Sequence, residues 1–106
     1  MDQEIRPVVT DPVEDARLLV ALKALADASR LAILQLIAAQ DEPICACHIV
    51  DRFDLRQPTI SHHLKVLSEA GLITTERHGV WAYYAIDPRG LGGVVSSMVG
   101  LAGRGD

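Results

Sequence analysis

Residues 57–73, QPTISHHLKVLSEAGLI, constrain the chain more than any other stretch. Pro58 suits the first turn of a helix, where its missing N–H costs nothing, and Gly71 suits the residue just past a helix end. Between them Ile60, Leu64 and Leu67 recur at i, i+4 and i+7, which puts them on one side of that helix. Thr59, His62, Lys65 and Glu69 occupy the other side. Beyond Gly71 the period changes. Residues 72–77 are rich in Ile and Thr, and residues 80–86 in Val, Trp and Tyr. His78-Gly79 joins the two runs, with glycine able to take a positive φ, so a two-stranded hairpin follows the helix directly.

The rest of the chain fits around that unit. Asp11-Pro12 opens a first helix with Leu18, Leu19, Leu22 and Leu25 as its apolar stripe. Asp27 starts a second, with Leu31, Leu34 and Ala38 on the buried side and Ile33 and Ile37 beside them. Asp41-Glu42-Pro43 breaks it and leads into a short helix over roughly 44–52, and residues 53–56 make a tight connection. Pro88 begins a last helix to about Ala102, whose glycines make it weak alone and in need of a partner surface. A short helix followed by a longer one is the helix-turn-helix pattern, and a hairpin behind it is a wing. The expected fold is mainly α with a β-hairpin wing. A length of 106 residues makes one domain: an N-terminal arm over 1–10, the helix-turn-helix over 44–70, the wing over 72–86, and flanking helices over 11–26 and 88–103.

The formal net charge is −4, which disfavours a nucleic-acid partner until it is divided along the chain. Residues 1–51 hold four basic and nine acidic side chains. Residues 52–80 hold four basic, three acidic and three of the four histidines, so this segment is slightly positive. A local basic face can meet phosphate, with modest and salt-sensitive attraction. The N-terminus lacks a signal-peptide pattern, and the apolar run 91–102 is too short for a bilayer, so a cytoplasmic protein with no membrane partner is expected. Cys45 and Cys47 cannot build a secreted disulfide framework, which leaves reactive thiols or a metal site.

From about Ala24 to Pro88 the sequence resembles the ArsR/SmtB family of winged-helix metalloregulators. The strings that carry the resemblance are ALADASRLAIL (24–34), QPTISHHLKVLSEAGLI (57–73) and ERHGVWAYYAID (76–87), and ICACHIV (44–50) is similar to the Cys-x-Cys segment of arsenic- and cadmium-responsive members. The resemblance implies a homodimer paired through its first and last helices. It also implies a repressor on an imperfectly palindromic double-stranded operator, released by a toxic metal or metalloid. The chain departs from the family in four ways. His48 stands where Asp usually follows the second cysteine, and Val50 where some arsenic-responsive members have a third cysteine. Residues 1–20 contain no cysteine, and no histidine lies beyond His78. The last two departures disfavour the N-terminal cadmium/lead site and the last-helix zinc site.

Gln57, Thr59, Ser61, His62 and Lys65 occupy the first two turns of the recognition helix. Gln57, Ser61 and His62 are placed to read base edges, and Lys65 to hold phosphate. Arg77 and His78 at the wing tip can reach the flanking backbone or minor groove. The competing view is a merely solvated helix face, which most polar faces are. His63 borders the apolar side and is equally a packing or hydrogen-bonding residue. Trp81, Tyr83 and Tyr84 are expected to pack within the wing and core rather than stack on bases.

Thiolates are soft ligands, suited to arsenic(III), antimony(III), cadmium, zinc or copper(I). On an α-helix residues i and i+2 point about 200° apart, so Cys45 and Cys47 cannot share one ion inside an intact helix. Binding both is therefore expected to unwind the first turn of the short helix. His48 is three residues after Cys45 and is a candidate third ligand, which would favour zinc, cadmium or copper(I). Without it the pair suits As(III) or Sb(III), with arsenite the leading inducer and no permanent cofactor. Thiol oxidation as the signal and plain burial remain open. So do two other classes, a small Cys-His enzyme and a winged-helix module that binds proteins.

Overall fold

The computed structural model describes residues 11–103. Three of its helices open on an aspartate. Asp11 Oδ1 accepts from the N–H groups of Val13 and Glu14 at 2.9 and 3.3 Å and starts α1 (Pro12–Leu25). Asp27 Oδ2 accepts from Arg30 N–H at 3.0 Å and starts α2 (Ala28–Ala38). Asp87 Oδ1 accepts from Arg89 and Gly90 N–H at 3.0 and 3.4 Å and starts α5 (Pro88–Ala102). Each cap satisfies donors that the first helical turn would leave unpaired. Between α2 and α5 lie β1 (Ile44–Cys45), α3 (Ala46–Arg52), α4 (Gln57–Glu69), β2 (Ile73–His78) and β3 (Trp81–Ile86).

Alternation and helical period place the core where these elements meet. Ile33, Leu34 and Ile37 of α2, Ile49 of α3, and Ile60, Leu64 and Leu67 of α4 are buried against Ile44, Leu72 and Ile73. The inward face expected of the recognition helix is the observed one. Two expected stripes are observed in part, with Ile33, Leu34 and Ile37 of α2 buried as expected and Leu25 of α1 on the core. The buried residues of α1 are Ala21 and Ala24, while Leu19 is exposed; in α2, Leu31 and Ala38 face outward. Small alanines let α1 approach closely, Leu25 packs on the edge of the core, and Leu19 points away from it.

The wing sheet has three strands rather than two, all antiparallel, in the order β1-β3-β2. Ile44 lies opposite Tyr84 and Cys45 opposite Tyr83, so β1 extends the hairpin. Two residues are too few to show a period, so this strand was read as part of the short helix. Gly79 takes φ +66° at the first position of the two-residue turn, and Val80 does not, the pattern of a type II′ hairpin. Tyr84 and Ile86 pack on the core, whereas Trp81 is 53% exposed on the opposite face. Alternation divides the three aromatic residues as the hairpin pattern requires: Trp81 is in register with Tyr83 and out of register with Tyr84, which alone of the three packs on the core.

The recognition helix ends in a Schellman motif. Gly71, at φ +77°, donates to the Ser68 carbonyl at 3.0 Å, and Leu72 donates to that of Leu67 at 3.1 Å. Leu72 and Leu67 are both fully buried. Helix α5 starts against this turn. A Cβ added to Gly90 would lie 1.6 Å from the Gly71 carbonyl oxygen, and Asp87 N–H donates to the Leu72 carbonyl at 3.0 Å. Gly90→Ala should therefore destabilise the protein by about 1–3 kcal/mol, as overpacking does. Gly100→Ala, where a Cβ meets nothing within 4 Å, should be neutral or stabilising. Urea denaturation of the two variants checks the contrast.

Candidate nucleic-acid interface and thiol site

Helix α4 presents its polar side freely. Gln57, Thr59, Ser61, His62 and Lys65 are all exposed, and Ile60, Leu64 and Leu67 hold the helix down from behind. No side chain caps its start at Arg56. The five side chains expected at the reading face are thus brought together on one element. His62 and His63 diverge, with ring centroids 6.1 Å apart. His63 turns inward, where its Nδ1 lies 3.3 Å from Arg30 Nη1.

Arg30 is the residue that sequence reasoning missed. Its Nε donates to the Ala24 carbonyl at 2.6 Å, its N–H to Asp27, and its guanidinium reaches His63. One half-buried side chain on α2 thus joins the end of α1 to the middle of α4, while the backbone N–H of the same residue completes the cap of α2. The available signal was an arginine set among the apolar residues of ALADASRLAIL. The Asp27 carboxyl is held below its ordinary value of 3.8, first by the Arg30 backbone N–H and further by the positive charge of Arg30 and His63; desolvation opposes this.

At the wing, Arg77 is exposed and unobstructed. His78 is exposed too, but its Nε2 lies 3.7 Å from Glu76 Oε1 and its ring packs edge-on to Tyr83 at 5.4 Å. The apex itself is Gly79-Val80, with Val80 85% exposed.

Cys45 and Cys47 straddle a change of secondary structure. Cys45 is extended, at φ −65° and ψ 141°, and serves as the cap of α3; Cys47 lies in the first turn. Their Cα atoms are 5.2 Å apart and their sulfurs are joined as a disulfide. Cys47 N–H also donates to Cys45 Sγ at 3.3 Å. The expectation that α3 must unwind before the two sulfurs can meet is overturned, because the helix begins at Ala46 and the first cysteine was never coiled. The pair is unequal: Cys45 is 4% exposed, whereas Cys47 is open to solvent. His48 is exposed and lines a shallow hollow of about 610 Å³ with Asp41, Glu42, Asp51 and Arg52. Among the described residues no three His, Cys, Asp or Glu side chains are grouped to hold a metal ion, so His48 is not gathered with the cysteines.

Because β1 belongs to the wing sheet and α3 packs on α4, the thiol pair sits where the wing and the helix-turn-helix join. A winged helix-turn-helix with an exposed recognition face is the architecture of a DNA-reading regulator. Residues 27–75 match the model of the bacterial regulatory protein, arsR family. A helix-turn-helix transcriptional regulator of Methanocaldococcus jannaschii is 44% identical over 68 residues, covering 63% of this chain and 75% of that protein. The arsenical resistance operon repressor of Bacillus subtilis is 38% identical over 74 residues, covering 70% of each. A crystal structure of a possible transcriptional regulator for arsenical resistance superposes with a TM-score of 0.68 at 30% identity, covering 76% of this chain and 82% of that one. The chain belongs to the arsR family and is a DNA-binding transcriptional regulator. Its relatives are regulators rather than enzymes, which removes the Cys-His enzyme reading. No described helix is long and apolar enough to cross a membrane.

The lowered Asp27 pKa has a testable sign. Its contribution is present above the unfolded carboxylate's value near 3.8 and is lost as pH falls through the lower native value. Asp27→Asn keeps a capping group but not the charge. The urea midpoint of the variant should lie below that of the wild type at pH 7, and the gap should close on acidification below pH 4, which titration of both midpoints against pH will show. Separately, Lys65→Ala should reduce the slope of log K against log salt for an operator fragment by about 1.

Proposed function

We propose that this protein is a homodimeric repressor that leaves a palindromic operator when As(III) or Sb(III) binds Cys45 and Cys47. The observation that carries the reading is the position of the pair: two sulfurs in reach of one another, one on the wing sheet and one on the helix beneath the recognition helix. Kinship with arsenical resistance operon repressors supports the choice of inducer. With thiolate bonds of roughly 2.3 Å, one atom held by both sulfurs is wedged between the end of β1 and the first turn of α3. Binding therefore spreads the junction between β1 and α3 without unwinding the helix. A ligand that prefers the spread junction disfavours the conformation that DNA selects. Water or a small thiol completes the coordination. Cadmium, zinc or copper(I) with His48 as third ligand is the lesser reading, because His48 stands on the hollow's side of α3.

In this reading Gln57, Thr59, Ser61 and His62 meet the major groove, Lys65 and Arg77 the phosphates, and His78 the flank of the wing contact. The dimer forms through α1 and α5. Helix α5 runs 15 residues without a single buried side chain, and Val95, Met98, Val99 and Leu101 are exposed, as are Val13, Leu19 and Val20 of α1. Ile86, Leu91, Val95 and Val99 line an apolar groove of about 500 Å³ there. Apolar area of this kind calls for a second copy. A regulator of this type works in the cytoplasm, where the DNA is.

Fluorescence anisotropy of a labelled promoter fragment tests the proposal. Arsenite should weaken binding by the reduced protein about 5- to 150-fold, the range of allosteric couplings. It should leave Cys45→Ser/Cys47→Ser bound, and zinc should release neither. Release of the double variant by arsenite would place the sensor elsewhere.

A further inference from the structure

We infer that joining Cys45 to Cys47 locks the protein on its operator: oxidation does not signal release, it silences the inducer. The inference rests on the thiol pair being the inducer site. Its ground is what the disulfide leaves untouched. With the sulfurs bonded, α3 still begins at Ala46, and Cys47 N–H still finds an acceptor in Cys45 Sγ. Strand β1 keeps its pairing, Ile44 with Tyr84 and Cys45 with Tyr83. Ile49 of α3 and Ile60, Leu64 and Leu67 of α4 stay buried, and the polar face of α4 stays outward. The Cα separation of 5.2 Å lies within the ordinary range for a bridge. The reading head is therefore complete in the oxidised protein, while both ligands for a thiophile are consumed.

The inequality of the two cysteines sets the order of the chemistry. Cys47 is exposed and meets an oxidant first; Cys45, 4% exposed, lies behind it. With a hydroperoxide as oxidant, the Cys47 sulfur attacks the O–O bond. It becomes a sulfenic acid, and the distal oxygen leaves as water or alcohol. The Cys45 sulfur then attacks the Cys47 sulfur, the S–O bond breaks and a second oxygen leaves as water. The thiol protons pass to the two departing oxygens. Two thiols lose two electrons in all, and one peroxide gains them. Ala46 is the only residue between the two cysteines, so closure demands no long-range rearrangement.

Oxidation and inducer thus compete for the same atoms with opposite effects on DNA. A cell under peroxide stress would keep the regulated genes shut even with inducer present, until a dithiol reductant reopens the pair.

The test uses full-length protein in three forms: reduced, peroxide-oxidised with loss of two hydrogens verified by mass spectrometry, and Cys45→Ser/Cys47→Ser. Each is titrated onto the labelled promoter fragment with and without arsenite, and each is passed over a phenylarsine oxide resin. The expected result is that oxidised and reduced proteins bind the fragment with the same Kd. Only the reduced form is released by arsenite and retained by the resin, and dithiothreitol restores both properties to the oxidised form. Loss of operator affinity on oxidation would overturn the inference and make oxidation a release signal. Retention of the oxidised form by the resin, or its release by arsenite, would overturn it equally. If arsenite fails to release the reduced protein, the inducer assignment fails. The Kd of the oxidised form and its passage through the resin then still decide whether the bridge spares the reading head.

Discussion

Gly90 packs so tightly on the carbonyl of Gly71 that a Cβ there would collide with it, and the layout of the neighbouring elements follows from that contact. The recognition helix ends there, the wing departs there, and the last helix returns there after the hairpin. A side chain on residue 90 would push α5 away from the Schellman turn and open the base of the wing, since Asp87 is tied to Leu72 one step away. The left-handed backbone at Gly71 turns the carbonyl toward α5, and the absence of a Cβ at Gly90 admits it. Two glycines 19 positions apart in sequence act as one joint.

The thiol pair lies at a second joint of the same unit, between β1 and α3. Strand β1 rides on β3, and β3 runs to the wing tip; helix α3 lies against α4. In the proposed reading, a guest atom lodged between the two sulfurs therefore bears on the angle between the sheet and the helix-turn-helix. No wire through the core is needed in that reading, because the cysteine pair and the recognition helix border the same short helix. Interiors packed this closely respond by shifting whole elements rather than by deforming smoothly.

Legibility in the sequence followed the range of the forces involved. The recognition helix could be read in full because its start, buried face and stop are all local: Pro58, then Ile60, Leu64 and Leu67, then Gly71. The caps at Asp11 and Asp27 were legible for the same reason. Strand β1 was not, since a two-residue strand has no period and exists only because β3 offers an edge. Missing it shifted the start of α3 by two residues and put Cys45 inside a helix, and from that came the mistaken need for unwinding. The stripe of α1 was legible only in part, because a hydrophobic stripe does not say which surface it covers: Leu25 packs on the core, whereas Leu19 faces away from this protomer. Trp81 and Tyr84 part company by alternation alone, which is a local property. Arg30 was overlooked because its partners, Ala24 and His63, lie on other helices.

Arg30 also bears on how such a molecule can diverge over generations. One guanidinium on α2 serves the end of α1 and the flank of α4, so a substitution there disturbs the contacts of three helices at once. The hairpin apex carries no such entanglement, since Val80 and Trp81 stand clear of the core. Sequence drift has an open path through the apex and a closed one through position 30.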